Sequence, residues 1–145
     1  MATDLGTGPG AVPDFAPLDD PRTRPFWEAT ANGGLSLPAC STCGTWQWYP
    51  LAGLPCHSDA TLVWRPVAGE GTIFTWTRVE RAFLPSGASP PFTVALVEID
   101  GVEGPRLVTV LVGPGSDEPV IGDRVRLAPT VLPTHTLPTF ELAGG

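Results

Sequence analysis

Apolar and polar positions alternate along the second half of the chain, in short runs that turn residues separate. These runs are rich in β-branched and aromatic side chains, which favour strands. They predict five strands, at residues 71–79, 92–99, 106–112, 125–127 and 136–142. Five short strands with such turns suit a Greek-key barrel of the OB type. We expect residues 129–138 to form an irregular connection, because proline cannot lie in a central strand.

A different pattern precedes the predicted barrel. Residues 1–20 are rich in Gly, Pro and Ala and show no periodicity, which predicts a flexible arm. A short helix follows, with its N-cap at Asp20 or Thr23 and its end at Asn32-Gly33-Gly34. Its apolar stripe is too wide for a solvated helix of this length. The helix is therefore expected to pack either on its own domain or into another chain.

All three cysteines lie between the helix and the barrel. Cys40 and Cys43 are separated by two residues and followed by Gly44. This is the pattern of a metal knuckle, in which two thiolates hold one tetrahedral ion. The glycine permits the tight turn that directs backbone N–H groups toward the sulfurs. Cys56 supplies part of a second half-site, and His57 follows it directly.

Short strand-like runs of alternating apolar and polar residues flank this knuckle, at residues 35–37 and 45–49. Residues 62–64 are expected to pair with them and to end the ribbon. Together they resemble the hairpin of a rubredoxin-like zinc ribbon. Trp46 and Trp48 lie on one face of the run at residues 45–49. We favour a packing role for them, in a ribbon that has little core, over a role as a platform on which a ligand stacks. The chain then divides into three parts: the arm (1–20), the helix with the zinc ribbon (21–66) and the OB-fold domain (67–145).

The charge balance excludes several classes of function. The net charge is −7, whereas duplex binding requires a clustered basic face. All basic residues are arginines, which excludes a Schiff-base lysine and a Walker-type phosphate lysine within this chain.

The N-terminus lacks the pattern of a secretory signal, and no apolar run reaches a membrane-spanning length. We therefore expect a cytoplasmic protein, in which cysteines are more often metal ligands or buried thiols than disulfides.

The order of the motifs resembles one family. The run PFWEATANGGLSLPACSTCG is followed by YP, PC, GEGT at residues 69–72, PFTVALVE at residues 91–98 and VIGDRV at residues 120–125. This concatenation, from Pro21 to Phe140, closely resembles the small proteins that join a rubredoxin-like zinc ribbon to an OB-fold domain. No single motif among them is as specific as their order.

The resemblance implies a non-catalytic accessory subunit of a thiolase-superfamily enzyme that acts on coenzyme A thioesters. One group of relatives accompanies thiolase-like aldolases, which shorten steroid side chains by retro-aldol cleavage of a β-hydroxyacyl-CoA. Another group resembles the small subunit of a thiolase-like acyltransferase. The implied assembly with the thiolase-like subunit is a heterotetramer or larger, with no membrane and no nucleic acid as partner.

The resemblance also implies structural Zn²⁺, but this sequence departs from the family at the second half-site. The family carries Cys-x-x-Cys there, whereas this chain has Asp59 in place of the fourth cysteine. A carboxylate is an acceptable zinc ligand, so the expected metal site is Cys40, Cys43, Cys56 and Asp59. His57 is the alternative fourth ligand, although adjacent residues seldom reach the same ion. A site completed by water, or no metal, is the remaining alternative.

The residues argue against two further functions, catalytic zinc chemistry and a thioredoxin-like redox role. A catalytic zinc ion is disfavoured because knuckle hairpins usually hold closed, structural sites. A thioredoxin-like role is disfavoured because Gly44 and a strand, not a helix, follow the cysteines. His135, in a Pro/Thr-rich connection, is best explained as an exposed or hydrogen-bonded loop residue.

A single-stranded nucleic-acid module remains as an alternative of another class, since aromatic and arginine side chains can bind single strands. The acidic total weighs against it. The same arginines could instead contact the phosphates of coenzyme A. The residues concerned share a position near the predicted strands and are Trp64, Arg65, Trp76, Arg78 and Arg81.

Overall fold

The computed structural model describes residues 19–50, 56–81, 83 and 89–144. The expected arm lies outside these residues except for Asp19 and Asp20. In chain order, the elements are α1 (Arg24–Ala31), β1 (Ser36–Cys40), β2 (Leu62–Pro66), β3 (Glu70–Val79), β4 (Phe92–Ile99), β5 (Leu107–Val112), β6 (Arg124–Leu127), β7 (Thr130–Val131), β8 (Thr136–Leu137) and β9 (Phe140–Leu142). Within this part of the chain, no helix has the length and apolar character that crossing a bilayer requires.

Five of the strands close into a barrel in the order β3-β4-β5-β9-β6. Neighbouring strands are antiparallel except β5 and β9, which run parallel. A parallel pair needs a long crossover connection, and residues 113–139 provide it. The predicted five-stranded barrel of the OB type is confirmed, and the described fold is mainly β with one helix.

The barrel core follows from the alternation along the strands. Ile73, Val97, Val125 and Phe140 come from four different strands and are at most 1% exposed. The neighbours of Val125, Arg124 and Arg126, are exposed, because successive side chains of a strand point to opposite faces. Gly71 lies where β3 packs tightly against β4. A Cβ atom at this position would lie 2.3 Å from the backbone oxygen of Glu98, so only glycine fits without movement.

The connection between β6 and β9 is more regular than the sequence indicated. Strands β7 and β8 pair as a small antiparallel hairpin, so the expectation of an irregular connection is wrong for their four residues. Pro138 follows β8 and separates it from β9, since proline has no N–H to donate. The predicted strand at residues 136–142 is therefore two strands. Thr139 stabilises the corner between them, with its hydroxyl 2.7 Å from that of Thr130.

Helix α1 packs on its own chain, which is one of the two placements that the sequence allowed. It begins after Thr23, one of the two expected N-cap residues, and has a proline in its first turn. It ends before Gly33, whose φ of 82° is a conformation that glycine adopts readily. Phe26 and Thr30 are buried where the helix contacts β1 and β8. The helix thereby links the ribbon to the barrel side of the molecule.

The ribbon differs in one respect from its expected form. Strands β1 and β2 pair antiparallel along their length, but the predicted strand at residues 45–49 is reduced to a single bridge from Trp46 to Ala39. Trp46 and Trp48 both pack against the hydrophobic core. The ring of Trp48 lies 4.6 Å from that of Phe26. The two tryptophans therefore serve as packing residues, which is the role that the sequence favoured.

Candidate metal centre and an apolar cleft

The knuckle is formed by the end of β1 and the turn that follows it. Cys40 is the last residue of β1, and Cys43 lies in the turn. Gly44 closes this turn with a φ of 76° and donates its N–H to the backbone oxygen of Cys40 at 2.9 Å. The N–H of Cys40 in turn donates to the backbone oxygen of Thr45 at 2.9 Å. This double closure holds both sulfurs on one side of the turn.

Four ligand atoms converge at this point. They belong to Cys40, Cys43, Cys56 and His57, and all lie within 4.8 Å of one another. The Sγ atoms of Cys43 and Cys56 are 3.6 Å apart, and Cys40 Sγ lies 3.6 Å from His57 Nδ1. In a tetrahedral zinc site, bonds of about 2.3 Å to sulfur and about 2.0 Å to nitrogen place two sulfurs about 3.8 Å apart and a sulfur about 3.5 Å from a nitrogen. The donor set and its spacing fit zinc.

Asp59 stands apart from this group. Its side chain is exposed, and its carboxylate is not among the converging ligand atoms. The backbone explains the difference, because the N–H of Ala60 donates to the oxygen of His57 at 3.2 Å and closes a turn. Asp59 is the third residue of that turn and faces solvent, while His57, its first residue, faces the sulfurs. The structure thus brings together the three expected cysteines and the alternative fourth residue.

The local electrostatics prepare the first half-site for a cation. The pKa of Cys43 is lowered to about 6, mainly because the hydroxyl of Thr45 lies 3.0 Å from its sulfur. The pKa of Cys40 is lowered mainly by the backbone N–H of Cys43, and the N–H of Thr42 lies 3.4 Å from Cys40 Sγ. Hydrogen bonds to a thiolate stabilise its charged form. Both shifts therefore favour the thiolate form of these two cysteines relative to an ordinary cysteine.

The second half-site behaves in the opposite way. Desolvation and the neighbouring sulfurs of Cys43 and Cys40 raise the pKa of Cys56 to about 11. The pKa of His57 is raised, chiefly by its contact with Cys40. A third thiolate beside two others is unfavourable unless a cation compensates the charge. A divalent metal would supply that compensation, as expected where metal binding displaces protons from thiols.

A second feature, which the sequence did not predict, is an apolar cleft beside α1. The cleft has a volume of about 360 Å³, and no charged side chain of the described residues lines it. One wall consists of aromatic residues of the helix and ribbon, and the floor is the outer face of β4 and β5. The residues that define it best are Phe26, Trp27, Trp48, Val94, Val108 and Val110.

A sequence signal for this cleft did exist. Along β5, the outward-facing residues Val108 and Val110 are as apolar as the inward-facing ones, whereas a solvated barrel face alternates with polar residues. Val108 is 63% exposed. Thr109 contributes one of the polar side chains at the cleft, and its hydroxyl already donates to the oxygen of Pro138 at 2.8 Å. The cleft therefore presents an almost purely apolar surface.

The residues considered for binding nucleic acid or coenzyme A phosphates lie in varied surroundings. Trp64 and Trp76 pack against the hydrophobic core, and Arg78 forms an ion pair with Glu80 at 2.8 Å. Arg65 and Arg81 are exposed. His135 lies in the β7–β8 turn, where its Nδ1 is 3.0 Å from the hydroxyl of the preceding threonine. This agrees with the expected role of a hydrogen-bonded loop residue.

Two family models match the chain over most of its length. The rubredoxin-like zinc ribbon domain of ChsH2 matches residues 27–61, and the C-terminal OB-fold domain of ChsH2 matches residues 64–129. A solved structure described as "Ltp2-ChsH2(DUF35) aldolase" contains a chain that is 30% identical to this one, with a TM-score of 0.78. That match covers 89% of this chain and 100% of the other. This chain belongs to the ChsH2 family.

Two other proteins resemble this ChsH2-family chain. A "Probable enoyl-CoA hydratase alpha subunit" from Thermomonospora curvata is 35% identical over 130 residues. The match covers 84% of the chain but 38% of that relative, so the chain spans about two fifths of its length. A protein of unknown function from the DUF35 family of Sulfolobus solfataricus shares the fold, with a TM-score of 0.57 and 13% identity over 84% of this chain and 85% of that one.

Proposed function

We propose that this chain is an accessory subunit of a thiolase-like aldolase that cleaves a β-hydroxyacyl-CoA by a retro-aldol reaction. The observation that carries the proposal is the match to a chain of "Ltp2-ChsH2(DUF35) aldolase", which this chain covers completely at 30% identity. The steroid side chain, as part of a coenzyme A thioester, is the substrate class that we propose. The zinc ribbon is proposed to bind Zn²⁺ as a structural element that replaces a core too small to be stable alone.

The partner is proposed to supply the catalytic groups. Retro-aldol cleavage requires a base for the hydroxyl proton and donors that stabilise the thioester enolate. Among the described residues, four ligand atoms of the ribbon cluster closely enough to hold a metal. A structural zinc site of four protein ligands has no open position for substrate. The accessory chain thus acts by docking, and by shaping the environment of the acyl-CoA in the complex.

The apolar cleft is our candidate for the docking surface. Its lining is uncharged, and exposed apolar surface of this kind marks interaction sites in soluble proteins. The aldolase subunit is the occupant that we propose, because the matched solved structure is described as "Ltp2-ChsH2(DUF35) aldolase". Val108 is the most direct residue to test, since it is 63% exposed on the outer face of β5 and lines the cleft.

Co-expression tests both the partner and the surface. The chain would be co-expressed with the thiolase-like aldolase of the same genome, and the complex would be analysed by size exclusion with light scattering. We expect co-elution in a heterotetramer or larger assembly, and retro-aldol cleavage of a β-hydroxyacyl-CoA by the complex. If the chain still elutes as a lone monomer, the proposed partnership with the aldolase would be contradicted.

A pair of variants then tests the cleft. Val108→Glu places a charge in the apolar cleft and should abolish co-elution. Val120→Glu is the matched control, because Val120 is 64% exposed but does not line the cleft. Circular dichroism would verify that both variants fold. Loss of the complex with Val120→Glu alone would place the docking surface elsewhere on the barrel.

The relation to a hydratase subunit supports a second, compatible role. Hydration of an enoyl-CoA yields a β-hydroxyacyl-CoA, which is the substrate of the proposed aldolase. The 35% identity to a probable enoyl-CoA hydratase alpha subunit therefore supports an assembly in which the two steps are neighbours. The same co-elution assay with a hydratase subunit tests this role. Acyl transfer instead of cleavage by the complex would favour the acyltransferase alternative.

A further inference from the structure

We propose that His57, through Nδ1, is the fourth zinc ligand of this chain, and that Asp59 is not a ligand. The inference rests on the proposed zinc binding and makes it specific: three thiolates and one imidazole hold the ion. It does not depend on the aldolase partner. The ribbon would thereby differ from a four-thiolate site in both donor set and charge.

The distances between the ligand atoms of the two half-sites support His57 as the fourth ligand. Each half-site contributes one atom to each short contact: Cys43 meets Cys56, and Cys40 meets His57, both at 3.6 Å. The first distance is close to the sulfur–sulfur edge of a zinc tetrahedron, and the second is close to its sulfur–nitrogen edge. The nitrogen at this edge is Nδ1, so Nε2 points away from the sulfurs. Ligation through Nδ1 leaves Nε2 as a protonated donor for an outer hydrogen bond.

The turn at residues 57–60 explains why the neighbouring carboxylate does not compete. Its hydrogen bond, from Ala60 N–H to the oxygen of His57 at 3.2 Å, fixes His57 and Asp59 at different positions of the same turn. Asp59 is exposed, whereas His57 is partly buried beside the sulfurs. The imidazole of His57 is among the ligand atoms that lie within 4.8 Å of one another, and the carboxylate of Asp59 is not.

Cobalt substitution tests the ligand set directly. The full chain would be loaded with Co²⁺, and its visible absorption and its zinc affinity would be compared with those of His57→Ala and Asp59→Asn. Replacing an outer-shell group typically costs about 10–100-fold in metal affinity, so loss of a direct ligand should cost at least about 100-fold. We expect that loss, with an altered cobalt spectrum, for His57→Ala. Asp59→Asn should retain the wild-type affinity and spectrum.

A rescue variant keeps the test valid if His57→Ala does not fold. His57→Cys keeps a potential metal ligand at this position. It should bind Co²⁺ with the stronger sulfur charge-transfer absorption of a four-thiolate site. If His57 is not a ligand, His57→Cys should leave the cobalt spectrum of the wild type unchanged, which would overturn the proposal.

Nitrogen NMR gives a readout that does not depend on affinity. The chain has two histidines, so a His135→Gln variant assigns both sets of ring ¹⁵N signals. In the ¹¹³Cd-loaded chain, we expect a direct metal coupling to Nδ1 of His57 and a proton on Nε2. Absence of that coupling, or loss of affinity with Asp59→Asn, would overturn the inference. A wild-type chain that binds no zinc would instead refute the proposed metal site itself, so the two failures are distinguishable.

Discussion

The narrow space at Gly71 gives a quantitative test of the barrel geometry. In Gly71→Ala, the new Cβ would lie 2.3 Å from the backbone oxygen of Glu98 and 2.8 Å from Cγ1 of Val97. Ordinary contacts begin at 3.4 Å, so β3 and β4 would have to separate locally by about 1 Å. Overpacking of this kind costs about 1–3 kcal/mol, and we expect the upper end because the obstructing oxygen belongs to the backbone of a paired strand.

An opposing effect reduces the net change. Alanine restricts the unfolded chain and stabilises the folded one by about 0.4–1 kcal/mol where it fits. The expected net loss for Gly71→Ala is therefore about 2 kcal/mol, which corresponds to a fall in Tm of about 4–8 °C for a protein of this size. Urea unfolding followed by tryptophan fluorescence measures the free energy of unfolding.

Gly144→Ala is the matched control for this prediction, because a Cβ at Gly144 meets no atom within 4 Å. It should leave the free energy of unfolding within about 0.5 kcal/mol of the wild-type value. If Gly71→Ala is as stable as the wild type, β3 and β4 do not approach each other as closely as described. The strand spacing at this corner of the barrel would then be incorrect as well.

Two further predictions concern the ribbon and an ion pair. Removing zinc with a chelator should lower the free energy of unfolding by about 2.7 kcal/mol if free zinc was at 100 times its Kd before removal. Cys40→Ser should have this lower stability from the start and should not respond to the chelator. A chelator effect of equal size in Cys40→Ser would contradict zinc binding at this site. Arg124 donates two hydrogen bonds to Asp100 and lowers the pKa of that carboxyl below its ordinary value of 3.8. A lowered carboxyl pKa stabilises the fold above about pH 4, and the stabilisation is lost as the pH falls below that value. Asp100→Asn should therefore be slightly less stable than the wild type at pH 7, with the difference vanishing near pH 2; a difference independent of pH would refute this cause.

The barrel was predictable because its signal is local and strong. Strands β3 and β4 carry long β-branched and aromatic runs, and their observed ends lie within one residue of the predicted ones. The error at residues 129–138 has a local reason as well. Prolines 129, 133 and 138 frame the segment, but each lies outside the two short strands, so they do not interrupt pairing. A backbone hydrogen bond from Leu132 to His135 at 2.8 Å closes the hairpin between them.

The residue that joins the three cysteines in the cluster, His57, and the apolar cleft could not be predicted from the sequence in this way. Spacing alone favours Asp59, because it occupies the position of the fourth cysteine in Cys-x-x-Cys. The direction of each side chain depends on the turn at residues 57–60, which no spacing rule specifies. The cleft requires α1, β5 and the β8–β9 corner to meet. These elements are distant in sequence, so their shared surface emerges only from the tertiary fold.

The parallel pairing of β5 with β9 has a consequence for how the domain folds during synthesis. Strand β9 follows all other barrel strands in the chain, and it is the strand that joins β5 to β6. Until β9 has emerged from the ribosome, β5 and β6 are open edges with unpaired backbone groups. Such edges recruit strands of other chains and lead to aggregation. The nascent domain thus keeps two open barrel edges until its smallest barrel strand arrives.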